Sequence, residues 1–487
     1  MEEQTRPLPN DFFKDWKERE ALAEGMIPLI GKLYRQRNIS TYMYGSSMVN
    51  KSVTDIMQDH RFVRQVEHNE ISEFDTFPML QAISNLPLGQ AHIDIGKMVV
   101  KYQDDEKPGR SIDDFLSKEL KDIIGSETKP LPEPQDIVLY GFGRIGRLVA
   151  RILVDKAGGG DVLRLRAIVV RKSKIDHDLE KRAALLRRDS VHGPFRGTIR
   201  VIEDQNTLVV NGNPIKIIYA NSPSEIDYSK YGINNAVVVD NTGVWKDSEG
   251  LSCHLMPGIS KVLLTAPAED DIPNIVYGIN HQEITPDRKI ISAASCTTNA
   301  IVPVLKCLLD EYGIKSGHVE TVHAYTNDQN LIDNYHKGGR RGRGAALNMV
   351  LTSTGAAKAV SKAIPELRGK LTGNAIRVPT PNVSMAILNL QLERDTDTEE
   401  LNEFLRQKAL HSSLQQQIGF TASSEAVSTD FVGSRQACVL DAQATIVNKN
   451  NCILYCWYDN EFGYSCQVVR CLEKFSGVVW PSYPKTF

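Results

Sequence analysis

The stretch DIVLYGFGRIGRLVARILVDKAG (136–158) decides how this chain folds. Its first five residues have strand character, and the residues from Arg144 onward repeat at helical spacing. Gly141, Gly143 and Gly146 stand where strand passes into helix. In a turn of this spacing the first glycine permits the tight bend and the second lets a pyrophosphate approach the backbone. The third lets helix and strand pack closely. Helix N-terminal N–H groups then face the phosphate charge. Read alone, a glycine-rich turn is also compatible with a structural loop. Placed at the first strand–helix junction of an α/β region, it reads as a dinucleotide site for NAD or NADP.

Outward from this turn, strands and helices alternate. LRLRAIVV (163–170) is a second strand, and TLVVNGNPIKIIY (207–219) carries an Asn-Gly turn between two apolar runs, a hairpin signal. NAVVVDNTG, KVLLTAPA and KIISAAS follow as further strands. The succession predicts a Rossmann-type doubly wound dinucleotide-binding domain over 136–295. The last helical run, around VVRCLEKF, is expected to rejoin it over about 461–487. Upstream the pattern differs. Residues 1–128 carry mainly helical periodicity, at 11–37, 47–67, 72–83 and 111–124, and the proline-rich segment SETKPLPEPQ contains a linker over 129–135. The expected fold class is α/β with an all-helical N-terminal extension.

Composition narrows the function classes. The 487 residues have a formal net charge of −3, which gives no electrostatic reason for a nucleic-acid or membrane partner. No apolar run approaches a membrane span, and the start MEEQTRPLPNDFF resembles neither a secretory signal nor an Arg-rich transit peptide. A cytoplasmic location is expected. The eight cysteines read as free thiols rather than a disulfide framework. Cys452 and Cys456 share one face of a strand-like run, unlike a zinc knuckle, so no metal is expected.

Two further stretches bear on chemistry. The second strand ends in Arg171, Lys172, Ser173 and Lys174, where an acid for the adenosine ribose is the usual solution. Cations there suit a 2′-phosphate and favour NADP or dual use; a solvated basic turn is the other reading. ISAASCTTNA (291–300) puts Cys296 between a strand-like and a helix-like run. A cysteine in the first helical turn feels the positive end of the backbone dipole, which favours thiolate. A small buried residue is the alternative.

With both stretches in hand, the chain resembles the phosphorylating glyceraldehyde-3-phosphate dehydrogenase family over about residues 135–469. The likeness rests on GFGRIGR (141–147), RRDSVHGPFRGTI (187–199), SAASCTTNAIVP (292–303), TVHAYTNDQ (321–329), STGAAKAV (353–360), GKLTGNAIRVPTPNVS (369–384) and WYDNEFGYS (457–465). It implies an α+β catalytic domain over 296–460, with Cys296 as nucleophile and His323 as its base. A thiolate–imidazolium pair would then keep the sulfur ionised. Ser295, Thr297, Thr354 and Gly355 would bind the attacking inorganic phosphate, and Thr326 and Arg377 the substrate's phosphate; Arg340, Arg341 and Arg343 are further candidates. Asn460 would hold the nicotinamide amide, Thr265 would touch the cofactor, and Arg144 and Ile145 would face the pyrophosphate.

The implied reaction is phosphorylating oxidation of glyceraldehyde 3-phosphate, or its reverse, in a homotetramer. Erythrose 4-phosphate is an alternative substrate, and a regulatory protein on the same scaffold an alternative role. The chain departs from the family at three places. Ala300 replaces a second cysteine, the Asn-Asp at the end of the second strand is absent, and residues 1–128 have no counterpart.

Overall fold

The computed structural model describes residues 9–67, 69–104, 109–353 and 355–485. These form two compact units. The first comprises 1–134, 158–162 and 478–487, and the second 135–157 and 163–477.

In the first unit, helix Phe12–Arg37 starts at Asp11, whose carboxylate accepts from the N–H groups of Phe13 and Lys14. Its buried positions Ala23, Met26, Ile30 and Leu33 follow helical spacing and join a core shared with helices Val53–Glu67 and Glu73–Asn85. The helical segments therefore form near where periodicity places them. The structure adds a small sheet to the expected all-helical region, ordered Ser46–Ser47, Ile39–Met43, Ala91–Asp94 and Ser482–Tyr483. Ile39–Met43 and Ala91–Asp94 pair in parallel. These strands span two to five residues and find their partners far along the chain. No local pattern announces such pairing.

The second unit opens on an eight-stranded sheet, ordered Ile290–Ser292, Ile259–Leu264, Ala236–Asp240, Gln135–Tyr140, Leu163–Val170, Asn213–Tyr219, Thr207–Val210 and Ile199–Ile202. The first six strands are mutually parallel. Gln135–Tyr140 lies between Leu163–Val170 and Ala236–Asp240, so strand order reverses at the glycine turn. That reversal opens the crevice in which doubly wound sheets bind ligands. The Asn-Gly hairpin forms, with Asn211 and Gly212 both at positive φ (47° and 83°).

A second, mixed sheet runs Val350–Ser353, Leu371–Val378, Ile314–Ala324, Ser384–Leu392, Asn451–Tyr458, Cys438–Asp441 and Ile418–Thr421. Helix Cys296–Tyr312, apolar over most of its circumference, packs on it. Cys452 and Cys456 are buried on one face of their strand, and no metal-ligating cluster occurs among the described residues. The last helix is Phe462–Phe475, which packs on helix Arg144–Asp155. It is shorter than the run to 487 expected from sequence, because Gly477 (φ 80°), Pro481 and Pro484 stop it. From Val478 onward the chain belongs to the first unit.

Candidate active site

Cys296 is the first residue of helix Cys296–Tyr312, capped by Ser295. Ser295 Oγ accepts from the Thr298 N–H at 3.1 Å. The loop before the cysteine is pinned from several sides. Asn299 Nδ2 donates to Ala293 O (2.8 Å) and Ser295 O (3.0 Å), and the Tyr464 hydroxyl donates to Ala294 O at 2.8 Å. Ala294 itself sits at φ 55°, a strained conformation for a residue with a Cβ. The composition of ISAASCTTNA thus builds one rigid corner that delivers a sulfur to a helix N-terminus.

His323 lies near the end of strand Ile314–Ala324, and its Nε2 is 3.6 Å from Cys296 Sγ. Parallel pairing sets Arg377 directly opposite His323. Arg377 Nη1 donates to Ala324 O at 2.9 Å and lies 2.7 Å from His323 Nδ1, which is also 2.7 Å from Ala324 O. Either neutral tautomer therefore has a partner on the Nδ1 side.

The electrostatics oppose isolated charges here. Burial, then Arg377, pulls the His323 imidazole down to about 4. Burial pushes the Cys296 thiol up, while Arg377 and nearby N–H groups pull it back. Cys296 keeps some exposure, and water on that side moderates the burial effect. Moving the proton from sulfur to Nε2 creates two opposite charges in contact, so the pair titrates as a unit. The ion pair expected from sequence is thus not imposed by each group's surroundings. It depends on the Sγ–Nε2 contact itself.

The candidate phosphate groups divide into two sets. Arg341 pairs with Asp328 at 2.6 Å, and the Thr326 hydroxyl also donates to Asp328. Arg341 and Arg377 each keep a buried Nε without a hydrogen-bond partner among the described residues. Of the other arginines considered, Arg343 pairs with Asp333 at 2.7 Å on the surface. Thr297 Oγ1 shares a 3.0 Å hydrogen bond with the Tyr458 hydroxyl. Gly355 caps helix Ala356–Ala363 and is exposed. Thr354 lies outside the described residues.

On the dinucleotide side, Gly141 has φ 92°, and a Cβ at Gly146 would come within 2.5 Å of Gly141 O. Both glycines are therefore required by backbone, and the open turn fits a pyrophosphate approach. Ile145 lies in the first turn of helix Arg144–Asp155. The Arg144 side chain is turned away: its guanidinium is bound by Asp189 at 2.6 Å and by Glu461. Arg144 opens the helix after the glycine turn, where sequence places it, and these two carboxylates hold its side chain. Thr265 Oγ1 donates to Asp240 O at 3.0 Å. Arg171 and Lys172 are exposed just past strand Leu163–Val170, with Lys172 Nζ 5.5 Å from the Tyr219 ring centroid. Asn460 Oδ1 accepts from Ser384 Oγ at 2.9 Å.

Sequence reasoning missed the turn Asn241–Thr242–Gly243, whose Thr242 methyl would lie 2.9 Å from a Cβ at Gly141. Buried Asp240 holds this turn, accepting from both Thr242 N and Oγ1 at 2.7 Å. The polar triplet after the buried run AVVVD was its signal. Tyr458 and Ser384 were also missed, since buried hydroxyls in strands carry no sequence mark.

Two family models match this chain. The glyceraldehyde 3-phosphate dehydrogenase NAD binding domain matches residues 135–248, and the C-terminal domain of the same family matches 295–460. A glyceraldehyde-3-phosphate dehydrogenase-like protein of Pseudomonas aeruginosa is 63% identical over 94% of this chain and 100% of its own length. The chain belongs to the glyceraldehyde-3-phosphate dehydrogenase family. The Zymomonas mobilis glyceraldehyde-3-phosphate dehydrogenase is 39% identical over 68% of this chain and 96% of its own. The chloroplastic A form of Zea mays is 40% identical over 73% and 88%. The Pseudomonas protein thus matches through most of the N-terminal unit, whereas the other two leave a quarter or more of this chain without a counterpart. Family membership makes this an oxidoreductase chain with a nicotinamide dinucleotide site. No helix among the described residues is long and apolar enough to cross a membrane.

Proposed function

We propose that this chain catalyses the phosphorylating oxidation of D-glyceraldehyde 3-phosphate to 1,3-bisphosphoglycerate, or the reverse, through a thioester on Cys296. The observation that carries the reading is the 3.6 Å approach of Cys296 Sγ to His323 Nε2 at a helix N-terminus, with Arg377 against the other side of the imidazole. The thiol proton passes to His323, the sulfur attacks the aldehyde carbon, and His323 returns the proton to the oxygen to give a hemithioacetal. The backbone N–H of Cys296 stabilises the oxygen that carries the developing charge. His323 removes the hemithioacetal hydroxyl proton as hydride leaves the carbon, which becomes a thioester. The nicotinamide supplies the hydride acceptor. Inorganic phosphate then attacks the thioester carbon, the C–S bond breaks, and the thiolate is released with an acyl phosphate. Arg377 and Thr326 hold the substrate's phosphate, while Ser295, Thr297, Thr354 and Gly355 serve the attacking one.

Arg171 and Lys172 support NADP or dual use, since two exposed cations at that strand end suit a 2′-phosphate. Leu331, Ile332, Tyr335, Leu347 and Met349 are at least 76% exposed along one segment, which supports a homotetramer that covers them. A cytoplasmic site of action accords with the free thiols.

The test is the steady-state oxidation of glyceraldehyde 3-phosphate with NAD and with NADP, each with and without inorganic phosphate, beside erythrose 4-phosphate. A phosphate-dependent rate on the triose supports the reaction, and a higher kcat/KM with NADP supports the basic strand end. Phosphate-independent turnover, or a preference for the tetrose, would overturn the assignment. Light scattering reads the oligomer.

A further inference from the structure

Ser384 is the first residue of strand Ser384–Leu392 and is 1% exposed. Its Oγ accepts from the Ala324 N–H at 3.0 Å, and its hydroxyl proton goes to Asn460 Oδ1 at 2.9 Å. With the hydroxyl proton on Oδ1, the Asn460 amide turns its Nδ2 away from Ser384. Oδ1 is taken, and Nδ2 makes no hydrogen bond among the described residues. Asn460 is therefore held as a donor. The residue preceding Ser384 supports a dedicated geometry: Val383, buried and β-branched, sits at φ 64°. Such strain persists only where the surroundings over-determine it.

The other arm of the hydroxyl reaches the peptide that carries the base. Ala324 N–H is bound by Ser384, while Ala324 O lies 2.7 Å from His323 Nδ1 and accepts from Arg377. In-register pairing also places Ser384 opposite Tyr458, whose hydroxyl meets Thr297 beside the nucleophile. One buried hydroxyl thus touches both the cofactor side and the proton-transfer side.

We propose that Ser384 is a positioning residue: it fixes the amide of Asn460 so that a single N–H donor meets the carboxamide oxygen of the nicotinamide, and thereby fixes which ring face receives hydride. The proposal rests on the cofactor reading of Asn460 given above. In Ser384→Ala the amide is free to rotate, and the ring loses its anchor while the pyrophosphate contacts remain.

The experiment compares calorimetric binding of NAD or NADP with that of the matching ADP-ribose or its 2′-phosphate, which lack the nicotinamide. Variants S384A, S384T, N460A and S384A/N460A are measured in the full chain. S384A is expected to weaken dinucleotide binding about tenfold, the loss of one buried hydrogen bond, and to leave ADP-ribose binding unchanged. S384T restores it, and the double variant is no weaker than N460A. Deuteride transfer from the 4-deuterated reduced cofactor should then label from both faces in S384A and from one face in the parent. Equal weakening of both ligands, or single-face transfer in S384A, would overturn the proposal. A parent chain that binds cofactor but fails to oxidise the triose would overturn the proposed reaction, with the Ser384 result still read from binding.

Discussion

At the scale of single residues, the proposed chemistry turns on a contact that neither partner's burial would favour. Burial disfavours a thiolate at Cys296 and an imidazolium at His323. The 3.6 Å contact lets each charge stabilise the other. His323→Asn keeps a polar side chain but removes the proton acceptor. Its iodoacetamide alkylation at pH 7 should fall by at least about tenfold, and the rate should keep rising with pH where the parent has levelled. The measurement is the second-order alkylation rate from pH 5 to 10. An unchanged profile would mean that the helix N-terminus and Arg377 alone ionise the sulfur. The place of Cys296 at a helix start was legible because ISAASCTTNA joins a strand to a helix. The role of Arg144 was not, because Asp189 and Glu461 that turn its side chain lie 45 and 317 positions away.

At the scale of elements, the glycine turn is specified by its backbone. A methyl at Gly146 would enter the space of Gly141 O, an atom that cannot swing aside as a side chain can. Gly146→Ala should therefore displace helix Arg144–Asp155 from its strand, destabilising the unit by about 1–3 kcal/mol. Cofactor binding should weaken more than thermal stability suggests, because the same helix start is the proposed pyrophosphate site. Calorimetric cofactor affinity and a thermal melt, measured together, separate the two effects. Long helices and the central parallel strands were legible for the same reason: periodicity and apolar runs act locally. The small sheet of the first unit was not, since Ile39–Met43 acquires meaning only when it pairs with Ala91–Asp94.

At the scale of the whole molecule, the first unit has a hydrophobic core of its own and, within it, a buried polar cluster. Arg19 Nε donates to buried Glu73 at 2.6 Å, and His60 Nε2 and Thr76 Oγ1 share a hydrogen bond at 2.7 Å. Burial holds the His60 imidazole below its ordinary 6.5. Burial pushes Glu73 up, but Arg19 and the neighbouring His60 more than offset it, so its carboxyl stands below 4.5. Both groups bind protons more readily when unfolded, so stability is full above pH 6.5 and falls on acidification. His60 acts first, below pH 6.5, and Glu73 follows below its unfolded value of 4.5. The melting temperature of the full chain should be flat from pH 8 to 7 and decline below 6.5. His60→Gln should lessen that slope and leave the share of His323, whose imidazole is also held down, with hydrogen exchange over residues 53–85 assigning the His60 share to this unit. A parent curve flat to pH 5 would contradict the burial argument.

The sequence by itself determined what local physics can write: a glycine turn that binds backbone to backbone, a cysteine at a helix start, an Asn-Gly hairpin, and a proline-rich change of pattern near residue 130. Only the tertiary structure decided which groups meet. Parallel pairing set Arg377 beside His323, strand register put Ser384 opposite Tyr458, and Ser482–Tyr483 supplied a strand to the first unit. Hydrogen bonds between strands do not depend on side-chain identity. The register that brings distant chemical groups together is therefore settled by packing over the whole unit rather than by any one segment.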